Sequence, residues 1–169
     1  NQALKLPPFK RAELLLTAGA RVDGIGGFQL RDPLLHRAAR EGNTRVMNFI
    51  LDHGGTLDLT DHKGETAAFS AVAQEQCEAL RLLAARGSNV DHRAKDARTQ
   101  LHMAAEAGLR KSVACLLDLG VDVGARARLR FTALQFATHA GHTEVVRLLI
   151  EGGARVSDRD LYGRSPMHV

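Results

Sequence analysis

A constant interval of 33 residues runs through this 169-residue chain. The segment Gly54-Gly-Thr-Leu-Asp58 returns as Gly87-Ser-Asn-Val-Asp91, Gly120-Val-Asp-Val-Gly124 and Gly153-Ala-Arg-Val-Ser157. A second landmark keeps the same phase: Pro33, Thr66, Thr99, Thr132 and Ser165. Leucine-rich stretches around Leu82-Leu83, Cys115-Leu116 and Leu148-Leu149 supply a third. A fixed period of this size restricts a chain to stacked supersecondary units, each burying its apolar face against the next.

Each period reads as two short helices and a turn. Thr66, Thr99, Thr132 and Ser165 stand where a side-chain oxygen can accept from the free amides of a first helical turn. Asp32 is the capping candidate where Pro33 takes that place. Gln135, three residues after Thr132, predicts a reciprocal capping box. The first helices are short and Ala-rich, as in His36-Arg-Ala-Ala39, so neighbouring units can approach closely. Gly42, Gly108 and Gly141 predict left-handed stops. Leucine-rich second helices follow, such as Glu144-Val-Val-Arg-Leu-Leu-Ile150, ended by Gly54, Gly87, Gly120 and Gly153. With aromatics at only 4% and no Trp, an all-α core of Leu, Ala and Val fits better than a sandwich or barrel.

Thr99-Gln-Leu-His-Met-Ala-Ala105, Gly141-His-Thr-Glu-Val-Val146 and Gly153-Ala-Arg-Val156 make the chain resemble the ankyrin repeat family. The resemblance covers essentially the whole sequence. It implies an all-α solenoid of helix-turn-helix units carrying β-turn fingers, and a role in binding proteins on a concave surface. It also implies that His36, His102 and His168 hydrogen-bond to the cap and neighbouring backbone. Three departures stand out. Glu75 replaces the glycine between helices, and Ala97 and Arg130 replace the finger glycine seen as Gly64 and Gly163, so local deviation is expected at those turns.

The phase divides the chain into a partial repeat 1–27, repeats 28–60, 61–93, 94–126 and 127–159, and a partial repeat 160–169. Two inserted residues are expected in the finger Asp23-Gly-Ile-Gly-Gly27. Since Asn1 and Val169 both fall inside first helices, the chain is expected to be a section of a longer array.

No catalytic constellation emerges, and no cofactor or metal is implied. Phe69 and Gln135 fill the slot of His36 and His102, an interchange that a catalytic histidine does not permit. His139 and His142 are separated by a glycine turn and have no third metal ligand at a diagnostic spacing. Cys115 reads as a buried hydrophobe and Cys77 as exposed near a helix start. Gly24-Ile-Gly-Gly27 lacks the spacing and the lysine of a phosphate cradle. Two cysteines cannot staple a chain this long, which points to an intracellular setting, cytoplasmic or nuclear. No apolar run approaches the roughly 18 residues of a bilayer span.

A surface remains. The formal net charge of +4 is unevenly spread: the finger Asp58–Thr66 carries −2, the finger Asp122–Thr132 carries +2, and the fingers 91–99 and 155–165 carry +1 each. The later fingers therefore form an Arg-rich ridge, with Leu129, Phe131 and Tyr162 expected to be exposed on it. Arg and aromatic residues are enriched at interaction hot spots. The expected partner is a protein or peptide with acidic character, contacting Lys63, Arg93, Lys95, Arg98, Arg126, Arg128, Arg130, Phe131, His139, Tyr162 and Arg164. Two other roles fit the residues: a targeting module of a longer enzyme, and nucleic-acid binding by the Arg ridge, against which the modest charge and the acidic finger Asp58–Thr66 stand.

Overall fold

A computed structural model describes residues 33–166. Among these residues eight α-helices occur in four pairs: α1 (Leu34–Arg40) with α2 (Thr44–Asp52), α3 (Ala67–Ala73) with α4 (Cys77–Ala85), α5 (Gln100–Glu106) with α6 (Arg110–Asp118), and α7 (Ala133–His139) with α8 (Thr143–Glu151). The first helices stack α1–α3–α5–α7 and the second helices α2–α4–α6–α8, making two helical layers. Among the described residues there is no β-strand, and no helix is long and apolar enough to cross a membrane. Asp32, His168 and the finger Asp23-Gly-Ile-Gly-Gly27 lie outside the described residues.

The core follows from the small side chains of the first layer. Ala39, Ala67, Ala68, Ala71, Ala104, Ala105 and Ala137 are completely buried, so helix backbones meet with little side chain between them. The second helices are amphipathic and present Met47 and Ile50, Leu80 and Leu83, Val113 and Leu116, and Val145 and Leu149 inward. Each such burial removes apolar area worth about 1.5–3 kcal/mol. Cys115 is buried among them, as its position on the apolar stripe predicts. Cys77 is half-buried rather than exposed, because its Sγ lies 3.5 Å from the carbonyl oxygen of Lys111 in the next repeat.

The third residue of α1, α5 and α7 rivets one repeat to the next. Gln135 Oε1 accepts from the N–H of Thr132 at 3.0 Å, completing the expected capping box, while its Nε2 donates to Arg164 O at 3.1 Å. His102 does both jobs with a ring. Its Nδ1 accepts from the N–H of Thr99 at 3.1 Å, and its Nε2 lies 3.2 Å from Phe131 O and 3.1 Å from Ala125 O. His36 Nε2 likewise meets Glu65 O at 2.9 Å.

Two buried side-chain polar atoms among the described residues lack a partner, and each traces to a departure from this scheme. Pro33 has neither a hydroxyl nor an N–H to offer, which leaves His36 Nδ1 unsatisfied. Phe69 cannot bond to the cap, which leaves Thr66 Oγ1 unsatisfied.

Left-handed turns separate the elements. Gly42, Gly108 and Gly141 have φ of 66°, 69° and 77° between paired helices. Glu75, Ala97 and Arg130 adopt the same region at 52°, 67° and 65°, so the repeat geometry prevails over a cost of about 1 kcal/mol per non-glycine residue. A local change of shape occurs at only one of the three departures. Beside Arg130, Leu129 is also left-handed, with φ 58° and ψ 18°.

Candidate partner-binding surface

The four described fingers share a one-rung closure. Asp61 N donates to Glu65 O at 2.9 Å, Ala94 N to Arg98 O at 2.9 Å, Ala127 N to Phe131 O at 2.8 Å and Asp160 N to Arg164 O at 3.0 Å. In the first and fourth fingers an aspartate inside the loop fixes the tip: Asp61 Oδ1 accepts from Lys63 N and Glu65 N, and Asp160 Oδ1 from Tyr162 N and Arg164 N. The second and third fingers have Ala94 and Ala127 there instead. In the second, Asp96 Oδ1 takes over by accepting from Arg98 N at 3.0 Å.

The tip of the third finger has no such carboxylate and no glycine. Its tip, Arg128–Phe131, is a tight β-turn closed by Phe131 N donating to Arg128 O at 3.3 Å, with both central residues, Leu129 and Arg130, left-handed. Backbone strain of this kind persists only where surrounding structure holds it. Here Leu129 O accepts from Leu161 N of the fourth finger at 2.8 Å. The corresponding link ties the first two fingers, where Lys95 N donates to Lys63 O at 3.0 Å.

Side chains divide the predicted surface residues into two groups. Five cations are engaged within the array. Arg93 Nη1 donates to Ala97 O and, at 2.6 Å, to Arg126 O, bridging the second and third fingers. Lys95 Nζ donates to His62 O at 2.8 Å. Arg98 pairs with Asp96 at 3.3 Å and with Glu106 on α5. Arg126 pairs with Asp158 at 3.3 Å, and Arg164 with Asp160 at 2.8 Å. By contrast, Arg128 and Arg130 are exposed and form no side-chain hydrogen bond or ion pair among the described residues. Lys63 is exposed at the first tip, and His139 is exposed at the end of α7.

The aromatic expectation needs one correction. Tyr162 is 66% exposed and Leu129 48%, but Phe131 is half-buried. Its ring lies 5.5 Å from that of Phe136 on α7, a residue outside the predicted set. Phe136 occupies a variable position, held by Met103 one period earlier, and besides Phe131 it meets His102 and Arg98 of the preceding repeat. Arg98 lies 4.6 Å over the Phe136 ring, while Arg164 lies 5.8 Å from Phe131 and 5.2 Å from Tyr162. Guanidinium groups and rings thus form a continuous row, Arg98, Phe136, Phe131, Arg164 and Tyr162, from the second finger to the fourth. Each exposed cation–ring contact contributes about 0.5–1 kcal/mol. Leu161, at 60% exposure, extends the apolar surface beside Leu129 and Tyr162.

Burial and charge set the titration of the groups beneath this surface. Burial pushes the Glu65 carboxyl above its ordinary range; Lys63 pulls against it, and Asp61 and Asp96 add to the rise. Burial acts the same way on Asp160, but the backbone and side-chain bonds from Arg164 and the N–H of Tyr162 outweigh it and hold that carboxyl low. Burial drives His102 down to about 4, although the carbonyls of Phe131 and Ala125 favour the protonated ring. His102 is therefore a neutral structural group near pH 7. His142 is occupied too, its Nε2 lying 3.0 Å from Glu106 O.

Comparison with known proteins places these repeats in context. A family model described as "Ankyrin repeats" matches residues 11–96, 35–127 and 101–169. The chain is 32% identical over 153 residues to the nuclear factor NF-kappa-B p105 subunit of Gallus gallus, covering 86% of this chain and 15% of the relative. It is 40% identical over 103 residues to ankyrin repeat and KH domain-containing protein 1 of Homo sapiens, covering 60% and 4%. It is 31% identical over 169 residues to ankyrin repeat and SOCS box protein 3 of Bos taurus, covering 78% and 32%. The chain thus spans no more than about a third of the length of any of these three.

Proposed function

This chain belongs to the ankyrin repeat family, and from that premise we propose that it binds an acidic peptide segment across the tips of its third and fourth fingers. Ankyrin repeats are protein–protein interaction modules. The observation that carries the choice of surface is the third tip. Arg128 and Arg130 stand unpaired on either side of exposed Leu129, on a backbone turn that costs energy in the free protein. Leu161 and Tyr162 lie alongside on the fourth finger.

That combination suits a segment in which acidic residues flank an aliphatic or aromatic side chain. The carboxylates pair with Arg128 and Arg130, and the apolar group covers Leu129 and Tyr162. Arg93, Lys95, Arg98, Arg126 and Arg164 act mainly by holding the fingers in position, since their guanidinium or ammonium groups already have partners. A rigid array loses little entropy on binding, which favours affinity for a short segment. Lys63 and His139 lie at the margins of this reading.

The test is selection from a displayed peptide library, followed by titration at two ionic strengths. Selected peptides are expected to be enriched in Asp and Glu next to an apolar residue, and to lose roughly tenfold or more in affinity against Arg128→Glu/Arg130→Glu. Peptides without acidic enrichment, or with affinities that the double charge reversal leaves unchanged, overturn the proposal.

A further inference from the structure

The segments leaving the second helices are tied across repeats by a side-chain carboxylate. Asp58 Oδ1 accepts from Ser88 Oγ at 2.5 Å and its Oδ2 from Asn89 N at 3.1 Å. One period later, Asp91 Oδ1 accepts from Asp122 N at 3.0 Å. In the following interface, Gly124 holds the place of the aspartate and Arg155 N–H that of the donor. Arg155 N–H makes no hydrogen bond among the described residues, and neither does its guanidinium.

A groove of about 430 Å³ opens at this point, bordered by Val121, Asp122, Gly124, Arg126, Arg155 and Asp158. A β-carbon on Gly124 would meet only Asp122 Oδ1, at 3.5 Å, so there is room for an acceptor group. The acidic residues of the groove already bond to neighbours within it. Asp122 Oδ1 accepts from Gly124 N at 3.0 Å, and Asp158 pairs with Arg126. The free donors are the backbone N–H and side chain of Arg155.

We propose that this groove takes a carboxylate from a partner, the Asp or Glu side chain of an acidic peptide, in the position that Asp58 and Asp91 fill in the two preceding interfaces. The proposal rests on the acidic-peptide reading above and adds a second contact to it, on Arg155. The repeat itself supplies the precedent: the same backbone position receives a carboxylate oxygen at Asn89 and at Asp122. A charge-assisted bond of this kind is stronger than its neutral counterpart.

The experiment follows the Arg155 backbone amide by NMR while the peptide acetyl-Gly-Asp-Gly-amide, or its Asn counterpart, is added to the chain. The Asp peptide is expected to move the Arg155 amide proton downfield and to saturate at a concentration roughly tenfold lower than the Asn peptide. Gly124→Asp is expected to show the shifted amide without peptide and no further response, whereas Gly124→Ala keeps the native response. An Arg155 amide indifferent to the Asp peptide, or a Gly124→Asp protein that responds as the native one does, overturns the proposal. Arg128→Glu/Arg130→Glu should leave the Arg155 response in place, so failure of this site and failure of finger-tip docking are read separately.

Discussion

The imidazole of His142 lies over Gly108, so close that a β-carbon on that glycine would come within 2.7 Å of the ring, while His142 Nε2 reaches Glu106 O at 3.0 Å. Gln76 covers Gly42 in the same way two repeats earlier. The glycine between paired helices thus serves two purposes, a left-handed backbone and space for a polar side chain from the next repeat. Gly108→Ala is expected to cost about 2–3 kcal/mol, combining backbone strain with the steric conflict. Gly141→Ala, which has open space above it, should cost only about 1 kcal/mol. Urea denaturation of both variants checks the difference, and equal losses would show that the ring contact contributes nothing.

Glu75 takes the left-handed turn with φ 52° and has Leu109, not a histidine or amide, in the covering position of the next repeat. Glu75→Gly is therefore expected to raise stability by about 1 kcal/mol, since it removes a backbone penalty and the Glu75 side chain makes no hydrogen bond or ion pair among the described residues. A higher urea midpoint with an unchanged slope is the predicted signature.

Acid should weaken the array through His102. Its folded-state pKa of about 4 lies below the unfolded value of about 6.5, so between these limits the unfolded chain binds a proton that the native chain excludes. Stability is fully present above pH 6.5 and declines by about 3 kcal/mol as pH falls to 4. Glu65, whose carboxyl is raised, contributes a slope of opposite sign. Comparison with His102→Gln isolates the histidine, because Gln135 shows that an amide can fill this slot. The variant should lose the extra acid sensitivity between pH 6.5 and 4; a parallel pH profile would contradict the assignment.

Thr66 and Thr132 occupy one repeat position with opposite hydrogen-bonding fates. Thr66→Val replaces a buried, unpartnered hydroxyl by a methyl and should change stability by less than about 0.5 kcal/mol, or raise it. Thr132→Val removes the acceptor for Gln135 N and should cost about 1 kcal/mol. Thermal unfolding of the two proteins measures the contrast directly.

Most of the array was legible in the residues because the repeat is written in local chemistry. The helix pairs, the capping box of Thr132 and Gln135, the buried Cys115 and the left-handed sites all follow from spacing and side-chain type. The candidate surface was less legible. Arg128 and Arg93 look alike in the sequence, yet Arg93 reaches the Arg126 carbonyl one repeat away while Arg128 finds no side-chain partner among the described residues. Phe131 reads as an exposed finger aromatic until Phe136, on the following helix, is placed against it.

The period and the residues within it determined the fold by themselves, since each element depends on neighbours three or four positions away and on a glycine or its substitute at the turn. Tertiary structure decided much of which charges remain available. Arg93, Lys95 and Arg126 find their partners across a repeat interface, 32 or 33 residues distant, and whether these are within reach depends on how the units stack, while Arg98 and Arg164 pair with Glu106 and Asp160 of their own repeats. The same stacking turns the absence of a side chain at Gly124 into a groove beside Arg155, a feature with no meaning until the two repeats are side by side.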